Sequence, residues 1–462
     1  MTRQIELIGR FPEIRRIFRA RTSQNKSVVA QLLQDIEQEM VNCGTEAIRL
    51  KTALDVALAA IEDKREKLKR KAKLYESLLS PIHALPSDVL ATIFAHSCEQ
   101  NILAPFALPP ALRISMVCSH WRDISFSTPR MWSHMTINFG LWKEKHRVLL
   151  EITDWCMNRS WPSPLRLSLT LPGDEFDEGF PRRHGVLATL KLLVENCERW
   201  EHISLSIRPP RFTLSIFDPI RGRLPLLKSL SLLEADPMST EWGRYLSLFD
   251  ACPVLHALDI VPDSIRSSEG SQTLFWNRIK QLRLYNAYND GAFPALSLCT
   301  TVEHLELEEV GGGPTDFEGH VTHNKLNTLE IKNPEGQADI DGVFKHTTLA
   351  GLASLVIRGR RRRTNRWSWD NSCLETFLRR SSCIITSLHL ASLPMIDTQI
   401  LSLLGSIPTI ESLCIEEFPC DSWNRIVTME FLEGLSASID SPFSPPLLPR
   451  LADLKSVVHE GI

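Results

Sequence analysis

The sequence predicts an α/β repeat solenoid, preceded by a small all-α unit and one long N-terminal coiled-coil helix. Three observations carry this. Phrases of the form apolar-x-x-apolar-x-apolar recur from residue 164 to about residue 458. Residues 27–80 hold a seven-residue apolar repeat. Between them, residues 81–136 hold two amphipathic stretches around a proline-rich break.

With 462 residues the chain has room for two to four units. A net charge of -3 gives no case for general affinity toward nucleic acid or membrane. No apolar run approaches the roughly 18–20 residues of a membrane span. The eleven cysteines are scattered without a CxxC pair, which suits reduced thiols of the cytoplasm or nucleus rather than disulfides or a zinc site.

Residues 1–26 form a basic flexible leader with Arg3, Arg10, Arg15, Arg16, Arg19 and Arg21; Glu6, Pro12 and Glu13 argue against a transit peptide. From Ser27 to Leu79 there is no proline and one glycine, Gly44. Leu33, Met40, Ala47, Leu54, Ile61, Leu68 and Tyr75 recur every seven residues. Three places after each stand Ile36, Cys43, Leu50, Ala57, Lys64, Lys71 and Leu78. This is an a/d heptad seam with two lysines in its d row. It predicts a coiled-coil homodimer through 27–80; the alternative is a long helix folded back on its own chain. Ser80-Pro81 ends the helix.

In 81–136, Ser87 is a good N-cap and Asp88 occupies a first turn where the helix dipole favours a carboxylate. Val89, Leu90, Ile93 and Phe94 follow on one face. A second helix can start at Pro110, with Ile114, Val117, Trp121 and Ile124 as its stripe. So short a unit makes a marginal core, yet it spends Leu85, Pro86, Leu90, Phe94, Val117, Cys118 and Trp121 on more than one face. Excess apolar surface of this kind predicts an interface. Its residues LPSDVLATIF, VCSHWRDIS and TPRMW resemble an F-box, of the type found in large fungal families. The resemblance rests on Leu85-Pro86, Leu90, Ile93-Phe94, Val117-Cys118, Trp121-Arg122, Pro129 and Trp132. Glu99 to Pro109 departs from the family by lengthening the link between helices.

A linker helix region, 137–163, runs through Trp142, Trp155 and Trp161. The repeats then follow. Their middle apolar residues are Ile203, Leu230, Leu258, Leu282, Leu305, Leu329, Leu355, Leu388 and Leu413. The spacings are 27, 28, 24, 23, 24, 26, 33 and 25. Most lie within the 20–29 residues of a leucine-rich repeat, and residues 164–458 resemble an irregular array of that family. In each phrase the two residues of the closing apolar-x-apolar point one way, while the residues between them, Ser204, Ser231, Asp259, Arg283, Glu306 and Glu330, face the other. Intervening runs (Trp242, Leu246, Phe249; Leu374, Phe377, Leu378; Ile400, Leu403, Leu404) read as covering helices. Many such repeats carry Asn or Cys at the third place after the strand; here stand Ala235, Ala287, Val310, Leu393 and Phe418.

No catalytic constellation, cofactor motif or metal site emerges, and the expectation is a non-enzyme. Gly311 to Thr315 lacks the Gly-Lys-Ser/Thr of a phosphate loop. Asp174, Glu175, Asp177 and Glu178 lack the alternation of a calcium loop, and His320 and His323 read as surface histidines. The run Arg358, Arg360, Arg361, Arg362, Arg363 and Arg366 falls at the stretched spacing and reads as an inserted loop or a nuclear signal. The resemblance implies a substrate-recognition subunit of a Skp–cullin–F-box ubiquitin ligase. Leu85, Pro86, Leu90, Ile93, Phe94, Val117, Cys118 and Trp121 would face the Skp-type adaptor. The repeats would bind a target protein that the sequence does not name. The alternative is an interaction scaffold outside any ligase.

Overall fold

A computed structural model describes residues 23–142, 145–171, 182–207, 214–233, 246–261, 275–286, 289–311, 319–360, 367–417, 427–435 and 447–457. Most of the basic leader, the acidic loop at 174–178, Arg361, Arg362, Arg363 and Arg366 lie outside them, as do Ala235, Trp242, Ala287 and Phe418. The chain divides into two units, Met1–Pro86 and Ser87–Ile462.

The first unit is dominated by helix α1, Ser23–Leu78, 56 residues without a break. At 1.5 Å per residue it reaches roughly 84 Å. Gly44 costs a helix about 1 kcal/mol, too little to stop one whose neighbours are mostly good helix formers. No turn interrupts α1 or folds it back on itself. Its seam residues Leu33, Met40, Leu54, Ile61, Leu68 and Tyr75 are 55–70% exposed. A short 3₁₀ turn at Pro81–Ala84 follows. No helix among the described residues is long and apolar enough to cross a membrane.

The second unit is built on one parallel sheet of thirteen strands. It opens with α2, Ser87–Ser97, then β1, Asn101–Leu103. Next come α3, Pro110–Ser115, α4, Ser119–Phe126, and β2, His134–Asn138. Two expectations need correction. The single helix from Pro110 is two helices, because Cys118 takes an extended conformation and caps α4, its Sγ accepting from the Trp121 N–H at 3.4 Å. The apparent stripe therefore crosses a turn. The sheet also begins upstream of residue 164: the lengthened link supplies β1, and β2 follows Trp132. Buried Asn101 fastens this start, donating through Nδ2 to the Met131 carbonyl (2.5 Å) and the Cys98 carbonyl (3.3 Å). Its Oδ1 accepts the Ala111 N–H at 3.0 Å.

After α5, His146–Arg159, come β3, Leu165–Leu171, α6, Arg182–Glu195, and β4, Trp200–Ile207. Buried Arg199 ties α5 to this region by donating to the carbonyls of Ser160 (2.9 Å) and Ser163 (2.8 Å) beyond the helix end. Then follow β5, Ser229–Leu233, β6, Ala257–Ile260, β7, Gln281–Tyr285, α7, Asn289–Leu298, and β8, His304–Glu308. A small side pair joins β9, Val321–Thr322, to β11, Thr347–Thr348. Around it lie β10, Thr328–Lys332, α8, Gln337–His346, and β12, Ser354–Arg358. The chain finishes with α9, Ser372–Ser381, β13, Ser387–Ala391, α10, Asp397–Gly405, and β14, Ser412–Glu416. Last come α11, Met429–Leu435, and β15, Asp453–Val457.

Apart from the side pair, the strands lie in the sheet in chain order. A doubly wound sheet reverses its order at a switch point, where ligands bind; this one never reverses and is solenoid-like. Apart from a shift between Leu165 and Arg166, where β3 begins to pair with β4, the register is uniform. Met135, Leu167, Ile203, Leu230, Leu258, Leu282, Leu305, Leu329, Leu355, Leu388, Leu413 and Leu454 align as one continuous row. Nearly all are buried, Leu454 at the edge being the exception at 44% exposed. The second apolar row, two places on, runs through Leu205, Ile260, Leu307, Ile357 and Ile415, all buried. Leu374, Phe377, Ile400, Leu403 and Leu404 of the covering helices are buried as expected. Leu246 and Phe249 are buried around a short 3₁₀ turn.

The missing Asn/Cys positions have a main-chain replacement. The residue just after a strand donates its N–H to the last carbonyl of the next strand. The pairs are Glu309 to Lys332 (3.0 Å), Asn333 to Arg358 (2.8 Å), Gly359 to Ala391 (2.8 Å), Ser392 to Glu416 (2.8 Å) and Glu417 to Val457 (3.0 Å). Glu309, Asn333 and Ser392 take positive φ there. The nearby Val310 and Leu393 are buried apolar plugs.

At Gly359 a Cβ would collide with the Ser392 carbonyl oxygen. Gly359→Ala must push two repeats apart. A loss of about 2 kcal/mol is expected on the scale of overpacking, read from the urea midpoint.

Candidate partner-binding surfaces

The small helical unit separates its apolar residues into two sets. Leu90 (0% exposed) and Phe94 (2%) point inward, and Phe94 meets the Trp121 ring at a centroid distance of 4.6 Å. Val89, Ile93, Met116 and Val117 are 40–60% exposed. This corrects the expected adaptor-facing set. Leu90 and Phe94 lie on the inner side of α2 and are sealed in the unit's own core. Ile93 and Val117 remain outward. Trp121 is half-buried, and its Nε1 is buried with no acceptor among the described residues. Cys118 is a half-buried helix cap. Leu85 and Pro86, in the first unit, are exposed. Met116 was missed by the sequence reading: it falls off the presumed single-helix stripe, and only the turn before Cys118 turns it outward.

The second surface is the polar side of the sheet. The middle outward row reads Ser168, Ser204, Ser231, Asp259, Arg283, Glu306, Glu330, Val356, His389, Cys414 and Lys455. From β7 onward its charges pair across strands. Glu306, 4% exposed, accepts from Arg283 at 2.6 Å and from Lys332 at 2.5 Å. Glu330 lies 3.5 Å from Lys332 and 3.3 Å from Arg358; Glu416 meets His389 at 3.0 Å. At the strand starts, Glu201 bridges Arg166 (3.2 Å) and Lys228 (2.7 Å), and Lys280 meets Glu303 at 2.9 Å.

These pairings set the protonation of the row. Burial works to raise the Glu306 carboxyl, but the hydrogen bonds and charges of Arg283 and Lys332 outweigh it and hold its pKa below the usual value. Burial pushes Asp259 up, only partly offset by Arg283. Burial and then Arg358 push His389 down against the pull of Glu416.

Two groups of potential metal ligands lie on this face: His389, Cys414 and Glu416, and His304, Glu306 and Glu330. Arg358 stands 3.4 Å from the His389 Nδ1 and 3.9 Å from Glu416, and both carboxylates of the second group already hold cations. The arrangement is an ion-pair network. His323 is a further correction. It is buried rather than at the surface, its Nε2 2.7 Å from the Cys299 carbonyl.

An apolar hollow of about 820 Å³ lies beside β1, lined by Phe106, Leu112, Trp142, Val148, Ile152 and Trp155 among others. Lys145 stands over the Phe106 ring at 4.8 Å. Comparison with protein-family models and with curated proteins finds no match for the chain.

Glu306→Gln tests the network. A carboxyl with a lowered folded pKa contributes stability above its unfolded value, near 4.3, and loses it as pH falls through the folded pKa. The variant is therefore expected to be about 2 kcal/mol less stable at pH 7, the scale of a charged hydrogen bond. The gap to wild type should narrow steadily below about pH 4.3, as read from urea midpoints across pH.

Proposed function

We propose that the protein is the substrate-recognition subunit of a Skp–cullin–F-box ubiquitin ligase, its helical unit docking the Skp-type adaptor and its repeats holding a target protein. One observation carries the reading. The small helical unit exposes Val89, Ile93 and Val117 within the residues that resemble an F-box, with Met116 beside Val117, while Leu90 and Phe94 are spent on its own core. Exposed apolar surface of this kind marks a site of protein interaction.

In this reading the sheet's polar side supplies the target site. Its irregular leucine-rich repeats offer hydroxyl groups on β3 to β5 and paired charges from β7 onward. The receptor works by proximity, raising the effective concentration of target lysines at a ubiquitin-conjugating enzyme and contributing no catalytic group. Cytoplasm and nucleus are the compartments where such ligases and reduced thiols coexist.

Because Leu90 is internal, its replacement would unfold the unit rather than probe the contact; the exposed positions are the right ones to change. Wild-type protein is expected to retain a purified Skp-type adaptor. Val117→Asp and Ile93→Asp should each weaken capture at least tenfold with an unchanged circular dichroism spectrum. If the wild type shows no capture, or both variants bind as well as wild type, a scaffold role replaces this reading.

A further inference from the structure

The exposed seam of α1 calls for a partner, and its charges say which one. Between Asp35 and Glu46 every charged residue is acidic: Asp35, Glu37, Glu39 and Glu46. Between Lys64 and Lys73 seven of ten residues are basic, opposed by Glu66 alone. The helix is thus a rod with opposite charge in its two halves, and a reversed copy of itself is its natural complement.

The two possible orientations are not equivalent. In a parallel pair each d residue faces its own counterpart. Lys64 would oppose the partner's Lys64 and Lys71 the partner's Lys71, placing like charges in the apolar seam twice. The flanking positions would return Glu46 to the partner's Lys51, two attractions once symmetry doubles the pair.

In an antiparallel pair a residues meet d residues. With Leu54 layered on the partner's Leu50, Ile61 falls on the partner's Cys43 and Leu68 on the partner's Ile36. Lys64 then meets the partner's Met40 and Lys71 the partner's Leu33. The same alignment sets Glu37 beside the partner's Arg65 and Glu39 beside the partner's Lys67. Symmetry doubles these to four attractions. The one opposed pair is Lys51 with its counterpart, on the solvent side of the axis.

Nothing in α1 prevents this exchange. Its internal ion pairs, Arg49–Glu46, Lys67–Asp63 and Lys69–Glu66, all join side chains more than half exposed, a class that contributes little and rearranges readily. We infer that α1 associates with a second copy of this chain as an antiparallel coiled coil over residues 26–78.

Cys43 reports on the geometry. It is exposed in the single chain; a parallel dimer would place it against the partner's Cys43, an antiparallel one against the partner's Ile61. The full-length chain is oxidised under mild conditions at micromolar concentration, and cross-linked peptides are identified by mass spectrometry. The wild type should give a dimer in sedimentation without a Cys43–Cys43 link. Ile61→Cys should add a disulfide between Cys43 and the thiol introduced at position 61, and Cys43→Ser should abolish it.

The double variant Glu37→Lys, Glu39→Lys should weaken the dimer about a hundredfold, with four attractions turned to repulsions. Adding Arg65→Glu and Lys67→Glu should restore it. A monomeric wild type, a Cys43–Cys43 link, no link from Cys43 to position 61 in the Ile61→Cys variant, or a dimer indifferent to the charge reversal would each overturn the inference.

Discussion

The second unit depends on one constraint: apolar side chains of successive strands must stack in a single register. The row from Met135 to Leu454 passes through twelve strands without a slip. A displacement by one residue would turn a strand's leucines to solvent and its charges into the core. The cost of losing even one buried leucine side chain is about 2–5 kcal/mol. The register therefore holds against wide variation in the loops, including the 33-residue spacing between Leu355 and Leu388.

That constraint also determines where chemistry can lie. With strands in chain order there is no reversal at which a crevice would open, and the outward rows are left as the sheet's exposed polar side. Along β7 to β14 those rows neutralise themselves through Glu306, Glu330 and Glu416. Any macromolecule binding there has to exchange with existing ion pairs, which favours selectivity over strength. On β3 to β5 the middle row is Ser168, Ser204 and Ser231, a different surface chemistry on the same sheet, with the Arg166–Glu201–Lys228 ion pairs at the strand starts.

Much of this was legible in the sequence because a leucine-x-leucine strand with one polar face writes a period of two, and its recurrence marks the repeat. The long helix was legible for the same kind of reason, a period of seven without proline. What stayed hidden had specific causes. The strand Asn101–Leu103 is three residues long inside a proline-rich link, too short for any period. The break at Cys118 was masked because Ile114, Val117 and Trp121 keep helical spacing across a turn, and cysteine is an uncommon cap. Leu90 and Ile93 look alike in sequence; which one faces outward depends on where α4 packs against α2. Met116 gained its exposure from the same turn. Within residues 85–132, apolar identity was readable and direction was not.

The main-chain bonds that close the repeats have a further consequence. Glutamate, asparagine, glycine and serine occupy equivalent places after β8, β10, β12 and β13, since the closing bond takes only a backbone N–H from each. The bond itself draws on no side chain; the positive φ of Glu309, Asn333 and Ser392 and the close fit at Gly359 are what narrow the choice of residue. Sequence change can therefore accumulate along this rim one repeat at a time while the stacked leucines keep their register.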